Sequence, residues 1–301
     1  MKITRRTGLT EAQFVREFLK ENLPVIVLDS MSQWPALSGW TPDTFSERFG
    51  QEEVQVYNQL FDLIDVQTLK SYFEKNFFKE NNEISTEYVR WYTKLKDVDF
   101  IWSDAVFDRL QNEWTHPSFL PKSEYIVPYT DEGGISDVTK DNFPYKGLFL
   151  SGKGGRTRLH RDPLGTQAIL CQLYGRKLVT FYHPSNDSFL RRGAEFVDIR
   201  KPDQNKFPNF HKAKVEFEDI LEPGEILFVP DNWLHDVTTL EDSISVTWNF
   251  VHRARTEPCL RVLEEKSSQN ELETMQFFLK DRIKRNAQAE EIISFLRSPP
   301  Q

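Results

Sequence analysis

Two segments place side chains where a metal ion could be held. In "LHRDPLGTQ", residues 159–167, His160 and Asp162 stand two positions apart. Residues i and i+2 of an extended strand share a face, so both side chains can converge on one ion while Arg161 points away. That pair says little alone: with six histidines in 301 residues, a His-x-Asp arises by chance in roughly a quarter of such chains. A second segment changes the balance. "LEPGEILFVPDNWLHDV", residues 221–237, reads as a Pro-Gly turn, a strand from Ile226 to Val229, a proline break and then Trp233, Leu234 and His235. A strand that carries His235 back to the core would complete two imidazoles and one carboxylate. Such a set holds Fe(II) on one octahedral face and leaves the other positions open for a co-substrate and O2.

An organic-acid co-substrate would need a cation and hydroxyl donors in the same pocket. Lys177 follows a turn at Gly175, on a strand whose neighbours are otherwise apolar. An ammonium buried there is costly without an anionic partner. In "SISVTWNFV", Ser245, Thr247 and Asn249 share one face, and Ile244, Val246, Trp248 and Phe250 the other. A polar face on a central strand predicts a barrel lumen lined by ligand-binding groups, where a plain sandwich would be apolar on both inner faces.

The elements that must position these residues form three regions. Residues 1–120 read as an α/β lead-in packed on a barrel. "TEAQFVREFLKEN" opens with a Thr10/Gln13 capping box, "LPVIVLD" is a buried strand, "WTPDTFSERFG" is a helix capped by Thr41 with Pro42 in its first turn, and "EVQVY" is a strand. Residues 121–256 are dense in Val, Ile, Phe and Tyr runs broken by "GKGG", "DPLG" and "EPGE", an all-β pattern. Residues 257–301 return to a helical period, with Leu272, Met275, Phe278, Leu279, Ile283, Ile292, Ile293 and Leu296 among charges. This tail either covers the barrel or pairs two copies into a homodimer. The acidic run "DEGGISD", residues 131–137, reads as a solvated loop.

Composition narrows the function classes. The net charge of −8 is spread along the chain with no basic block, which argues against nucleic acid as a partner. No apolar run approaches the ~18 residues of a membrane span. The polar start Met1–Arg6 lacks the apolar core of a signal peptide, so the expected location is the cytoplasm. Two cysteines, Cys171 and Cys259, are too few for a disulfide framework, and Cys171 sits in the apolar run "AILCQL" as a buried hydrophobe.

Three stretches, "TRLHRDPLGTQAILCQLYGRKLVTFYHP", "PGEILFVPDNWLHDV" and "ISVTWNFV", together resemble the Jumonji-C group of Fe(II)- and 2-oxoglutarate-dependent oxygenases of the cupin superfamily. "HRDPLGT" and its distance to Lys177 are most similar to the lysyl hydroxylase also described as an arginine demethylase. "FPNF", residues 207–210, is similar to the asparaginyl hydroxylase of hypoxia-inducible factor. The resemblance holds its register from about residue 147 to 252, and "LPVIVLDSMSQWPALSGWT" is similar to the family's lead-in.

The resemblance implies a mainly β fold, a double-stranded β-helix with N-terminal helices and a C-terminal helical segment. It implies His160, Asp162 and His235 as the catalytic iron ligands. Lys177 would pair with the distal carboxylate of 2-oxoglutarate, Thr157 would donate a hydroxyl to the same carboxylate, and Asn249 would lie near the iron. Tyr88 also reaches the co-substrate in this alignment, with Tyr92 as its rival. Strand parity sets Thr157 opposite His160, so its role requires a bulge or turn around Gly154 and Gly155. Leu170 stands where the lysyl hydroxylase has an asparagine. The implied reaction hydroxylates a side chain of a protein or peptide, with succinate and CO2 as co-products. The alternatives are the same chemistry on a small molecule, such as a free amino acid or a natural-product intermediate, and a non-catalytic metal-binding cupin.

Overall fold

The computed structural model describes residues 1–79, 84–94, 101–129, 142–143, 145–265, 269–280 and 282–298. The acidic run at 131–137 lies outside them. The strands of the N-terminal part are β1 (Thr4–Arg6), β2 (Val25–Val27), β3 (Glu53–Tyr57), β4 (Leu63–Thr68), β5 (Tyr88–Tyr92) and β6 (Tyr125–Val127). Then follow β7 (Gly147–Ser151), β8 (Arg156–His160), β9 (Gln167–Tyr174), β10 (Lys177–Tyr182), β11 (Arg191–Arg192) and β12 (Glu195–Phe196). The last are β13 (Val215–Leu221), β14 (Ile226–Val229), β15 (Leu234–Thr239) and β16 (Ser243–His252).

Two sheets build the jelly-roll. The larger runs β1-β2-β14-β9-β16-β7-β5-β3-β4, with β6 added beside β16, and the smaller runs β13-β10-β15-β8. The lead-in therefore does more than pack on the barrel. β1 and β2 extend one edge of its large sheet and β5, β3 and β4 the other, by backbone hydrogen bonds.

The outer face of the large sheet is the main core. Ile244, Val246, Trp248 and Phe250 of β16 are essentially fully buried there, with Phe14, Trp40, Phe45 and Trp114 from the lead-in. Thr41 caps the helix Pro42–Phe49 through a hydroxyl that accepts from Thr44, as the sequence predicts. The first helix differs from expectation. Its capping box forms, but after Glu11–Phe14 the chain widens into a π-turn over Val15–Leu19, with Lys20 N–H donating to Val15 C=O. Phe14, Phe18 and Leu19 are all buried by it.

The inner faces of the two sheets enclose a smaller apolar cluster that includes Ala168, Leu170, Phe181, Leu227, Val229 and Trp233. The C-terminal segment folds as helices Glu257–Glu264, Gln269–Phe278 and Ala289–Arg297. Met275, Phe278, Leu279, Ile292, Ile293 and Leu296 are buried against Ile126, Val127 and Tyr129 of the same chain. Much of the apolar surface offered for pairing two copies is thus consumed within the chain. No helix among the described residues is long and apolar enough to cross a membrane.

Candidate metal and co-substrate site

β8 and β15 bring the two histidines together. His160 and His235 are direct cross-strand partners, and their ring centroids lie 4.1 Å apart. Asp162 follows the end of β8 in extended conformation (φ −64°, ψ 143°), so its carboxylate turns back to the same point. The potential ligand atoms of His160, Asp162 and His235 all lie within 4.8 Å of one another, the one such group among the described residues.

The ring orientations are fixed from behind. His160 Nδ1 is 2.8 Å from the Arg158 carbonyl, and His235 Nδ1 is 3.0 Å from the Trp233 carbonyl. A carbonyl only accepts, so each Nδ1 carries a proton and Nε2 is the nitrogen left to face the common centre. Burial, with the neighbouring His235 adding to it, holds His160 well below the ordinary histidine range and keeps it neutral. Burial pushes the Asp162 carboxyl up, and its Oδ2 is buried with no hydrogen-bond partner. Two imidazoles whose Nδ1 atoms are already engaged and an unsatisfied buried carboxylate oxygen fit a divalent cation, and the mixed N/O set suits Fe(II).

Asn249 braces the loop that carries Asp162. Its Nδ2 donates to Thr166 Oγ1 at 3.0 Å, and that hydroxyl donates to the Pro163 carbonyl at 2.9 Å. Within the loop Leu164 has φ +56°, and Gly165 lies so close to the helix Glu257–Glu264 that an added Cβ would meet Pro258 backbone atoms at 2.8–2.9 Å.

Lys177 lies deeper in the lumen. Lys177, with no solvent exposure, donates from Nζ to Tyr88 Oη at 2.9 Å and to Ser245 Oγ at 2.7 Å. Burial by itself raises the Tyr88 phenol, but Lys177 and Arg90 outweigh it and bring the phenol below its ordinary value. Between Tyr88 and Tyr92, it is Tyr88 that reaches Lys177. Tyr92 stacks on Tyr145 instead, at 5.5 Å between ring centroids, in the outer cleft.

Thr157 also lines the lumen, but not by the expected route. The irregularity is inside β8: three steps from Thr157 to His160 oppose two from Val237 to His235. That bulge, rather than the Gly154–Gly155 turn, reverses parity and puts Thr157 on the face of His160. The inner cavity of about 80 Å³ also includes Leu170, Lys177, Thr247 and Asn249. It opens past Phe61, Tyr92 and the metal ligands into a cleft of about 760 Å³ walled by Trp102, Tyr145 and Phe278, with Glu271 and Glu273.

Arg90 and Phe61 were not found from sequence. The Phe61 ring is 5.3 Å from that of His160, and the Arg90 guanidinium carbon is 3.9 Å from the Phe61 centroid. A signal existed for Arg90: it lies between Tyr88 and Tyr92 at strand spacing, so it shares the face of two lumen residues. Phe61 sits at a hairpin tip with φ +67°, which no alternation rule describes.

A jelly-roll lumen with a two-histidine, one-carboxylate group at its mouth and a buried lysine at its base defines a class: a cupin-type barrel domain with a candidate metal centre. Sequence comparison agrees. The chain belongs to the Cupin-like domain family, whose model matches residues 11–256. It is 26% identical over 265 residues to "Arginine-specific demethylase JMJ20" of Arabidopsis thaliana, covering 81% of this chain and 55% of the relative. It is 26% identical over 267 residues to "2-oxoglutarate and iron-dependent oxygenase JMJD4" of Gallus gallus, covering 83% and 60%. It is also 26% identical over 251 residues to "tRNA wybutosine-synthesizing protein 5" of Gallus gallus, covering 81% and 76%. The chain thus spans little more than half the length of the first two of these relatives.

Proposed function

We propose that this protein is an Fe(II)- and 2-oxoglutarate-dependent dioxygenase that hydroxylates a side chain of a protein or peptide. The observation that carries the reading is the alignment, in one lumen, of the His160–Asp162–His235 group with a buried Lys177 that among the described residues has hydroxyl partners and no carboxylate. A relative named for 2-oxoglutarate and iron supports the same chemistry.

When bound, iron and co-substrate supply the oxygen-activating chemistry and yield succinate and CO2. The chain's own residues do the positioning. His160, Asp162 and His235 hold the ion, their Nδ1 hydrogen bonds keeping both rings in the ligating tautomer. Lys177, with Tyr88 beside it, receives the distal carboxylate, and Thr157 donates to it. Asn249 keeps the Asp162 loop in place through Thr166, and Leu170, Phe181 and Leu227 keep the inner cavity apolar.

The substrate class is read from the outer cleft. Its width and its aromatic and acidic walls favour a polypeptide side chain over a small metabolite. Leu60, Phe61, Leu63 and Ile64 are exposed on the adjoining hairpin, as a surface that meets a polypeptide would be. The net charge of −8 disfavours an RNA substrate, although one relative is named for tRNA.

The test is succinate formation from 2-oxoglutarate by protein loaded with iron anaerobically and then exposed to air, beside Asp162→Ala. Turnover that needs iron, is absent in Asp162→Ala and rises with peptides but not with free amino acids is expected. A rise with free amino acids alone would replace the substrate class. Absence of both turnover and 2-oxoglutarate binding would leave a metal-binding cupin without catalysis.

A further inference from the structure

A second cation is buried behind the co-substrate end of the lumen. Arg90, at the centre of β5, is 1% exposed. Its guanidinium lies 3.9 Å from the Phe61 ring centroid and 4.6 Å from that of Tyr88. One arm donates to the Asn58 carbonyl at 3.0 Å, the other to Thr157 Oγ1 at 3.1 Å, and Nε has no partner. Burial draws its pKa down, and the groups that favour its charge are tyrosines rather than a carboxylate. A guanidinium does not give up its proton in a protein, so this charge is carried into the core among rings and two oxygen acceptors.

Thr157 shows what the arrangement is for. A hydroxyl has one proton and two lone pairs. Arg90 only donates, so its contact occupies a lone pair of Thr157 Oγ1 and turns the hydroxyl proton away from the guanidinium. No acceptor for that proton stands among the described residues, and Thr157 lines the cavity that also contains Lys177. The cavity thus meets an oriented hydroxyl donor and an ammonium, with a second positive charge directly behind the hydroxyl. That combination complements a carboxylate.

We propose that Arg90 is a positioning residue for the co-substrate: it fixes the Thr157 hydroxyl as a donor toward the distal carboxylate and so makes the lumen select a 2-oxo diacid over a 2-oxo monoacid. This rests on the 2-oxoglutarate reading above. Arg90 acts through Thr157, so the two residues form one unit whose removal is felt once.

The experiment is calorimetric binding to the anaerobic Mn(II)-loaded protein, with 2-oxoglutarate and with 2-oxobutyrate, which lacks the distal carboxylate. Variants are Arg90→Met, Thr157→Val, the double variant and Arg90→Lys. Expected is a loss of about tenfold or more in 2-oxoglutarate affinity for Arg90→Met, a similar loss for Thr157→Val, no further loss in the double variant, and little change in 2-oxobutyrate binding throughout. Equal losses for both acids would make Arg90 a structural clamp on the hairpin and overturn the proposal. So would additive losses, or a wild type that binds both acids equally. If Arg90→Met does not fold, Arg90→Lys decides: its loss must again fall on the diacid alone. A wild-type protein that binds neither acid would instead sink the 2-oxoglutarate reading itself.

Discussion

The two faces of β16 lie on one backbone and do opposite work. Ile244, Val246, Trp248 and Phe250 enter a dry cluster of aromatic and aliphatic side chains where no polar ligand could be held. On the other face, Ser245 accepts from Lys177, Thr247 donates to the Ile169 carbonyl at 2.8 Å, and Asn249 donates to Thr166. The dry face is packed against the rest of the chain, with only the Trp248 indole N–H left without a partner among the described residues. The wet face is hydrogen-bonded throughout, with Ser245 and Asn249 holding Lys177 and the Asp162 loop at the cavity. Substitutions on the dry side should therefore be paid in stability, and those on the wet side and its neighbours in binding.

The largest expected effects fall one on each face. Lys177→Met should weaken 2-oxoglutarate binding by about 2–5 kcal/mol, as for a buried charge pair that loses one partner, with the melting temperature held or raised because an uncompensated ammonium is gone; calorimetry and thermal melts check both. Trp248→Ala, one strand-face away, should cost about 3–5 kcal/mol of folding stability, read by denaturant titration, while the folded fraction keeps its metal affinity. If Trp248→Ala lost metal binding without losing stability, the division between faces would be wrong. Asn249→Ala should lower metal affinity or turnover about 10- to 100-fold, as supports of ligating groups do, at little cost in stability. The smallest effect is Ile244→Val, about 0.5–1.5 kcal/mol of stability with unchanged kinetics.

Charge gives one more sharpening. Burial raises the Asp162 pKa, so ionising it in the metal-free protein opposes folding: that penalty is absent at pH below the ordinary carboxylate value, grows as pH rises from there and is complete above the raised folded value. Asp162→Asn should therefore melt higher than the metal-free wild type at neutral pH, and should gain nothing from added Mn(II), whereas the wild type should gain.

The metal group, Lys177 and the alternation of β16 were legible because each rests on local spacing: i and i+2 on a strand, or a polar row in an apolar run. Thr157 was legible only as a problem. Its face depends on a bulge that exists because β8 pairs with β15, and that pairing is made across the chain from residue 160 to 235. The attachment of β2 and β5 to the barrel sheet was hidden for the same reason, since an edge is defined by its neighbour. Phe61 was invisible to any period, and Arg90 was overlooked although the parity rule that exposed Ser245, Thr247 and Asn249 applies equally to Tyr88, Arg90 and Tyr92.

The contact of Gly165 with Pro258 joins two equilibria in one loop. Asp162 begins that loop, and the first tail helix closes over its far end, so the helix cannot open without freeing the segment that an ion would grip. By mass action, an ion bound only by the closed form deepens the free-energy well of that closed form. Amide exchange along Glu257–Glu264 should then slow on adding Mn(II) in the wild type and stay fast in Asp162→Ala, making the tail a remote gauge of what the barrel mouth holds.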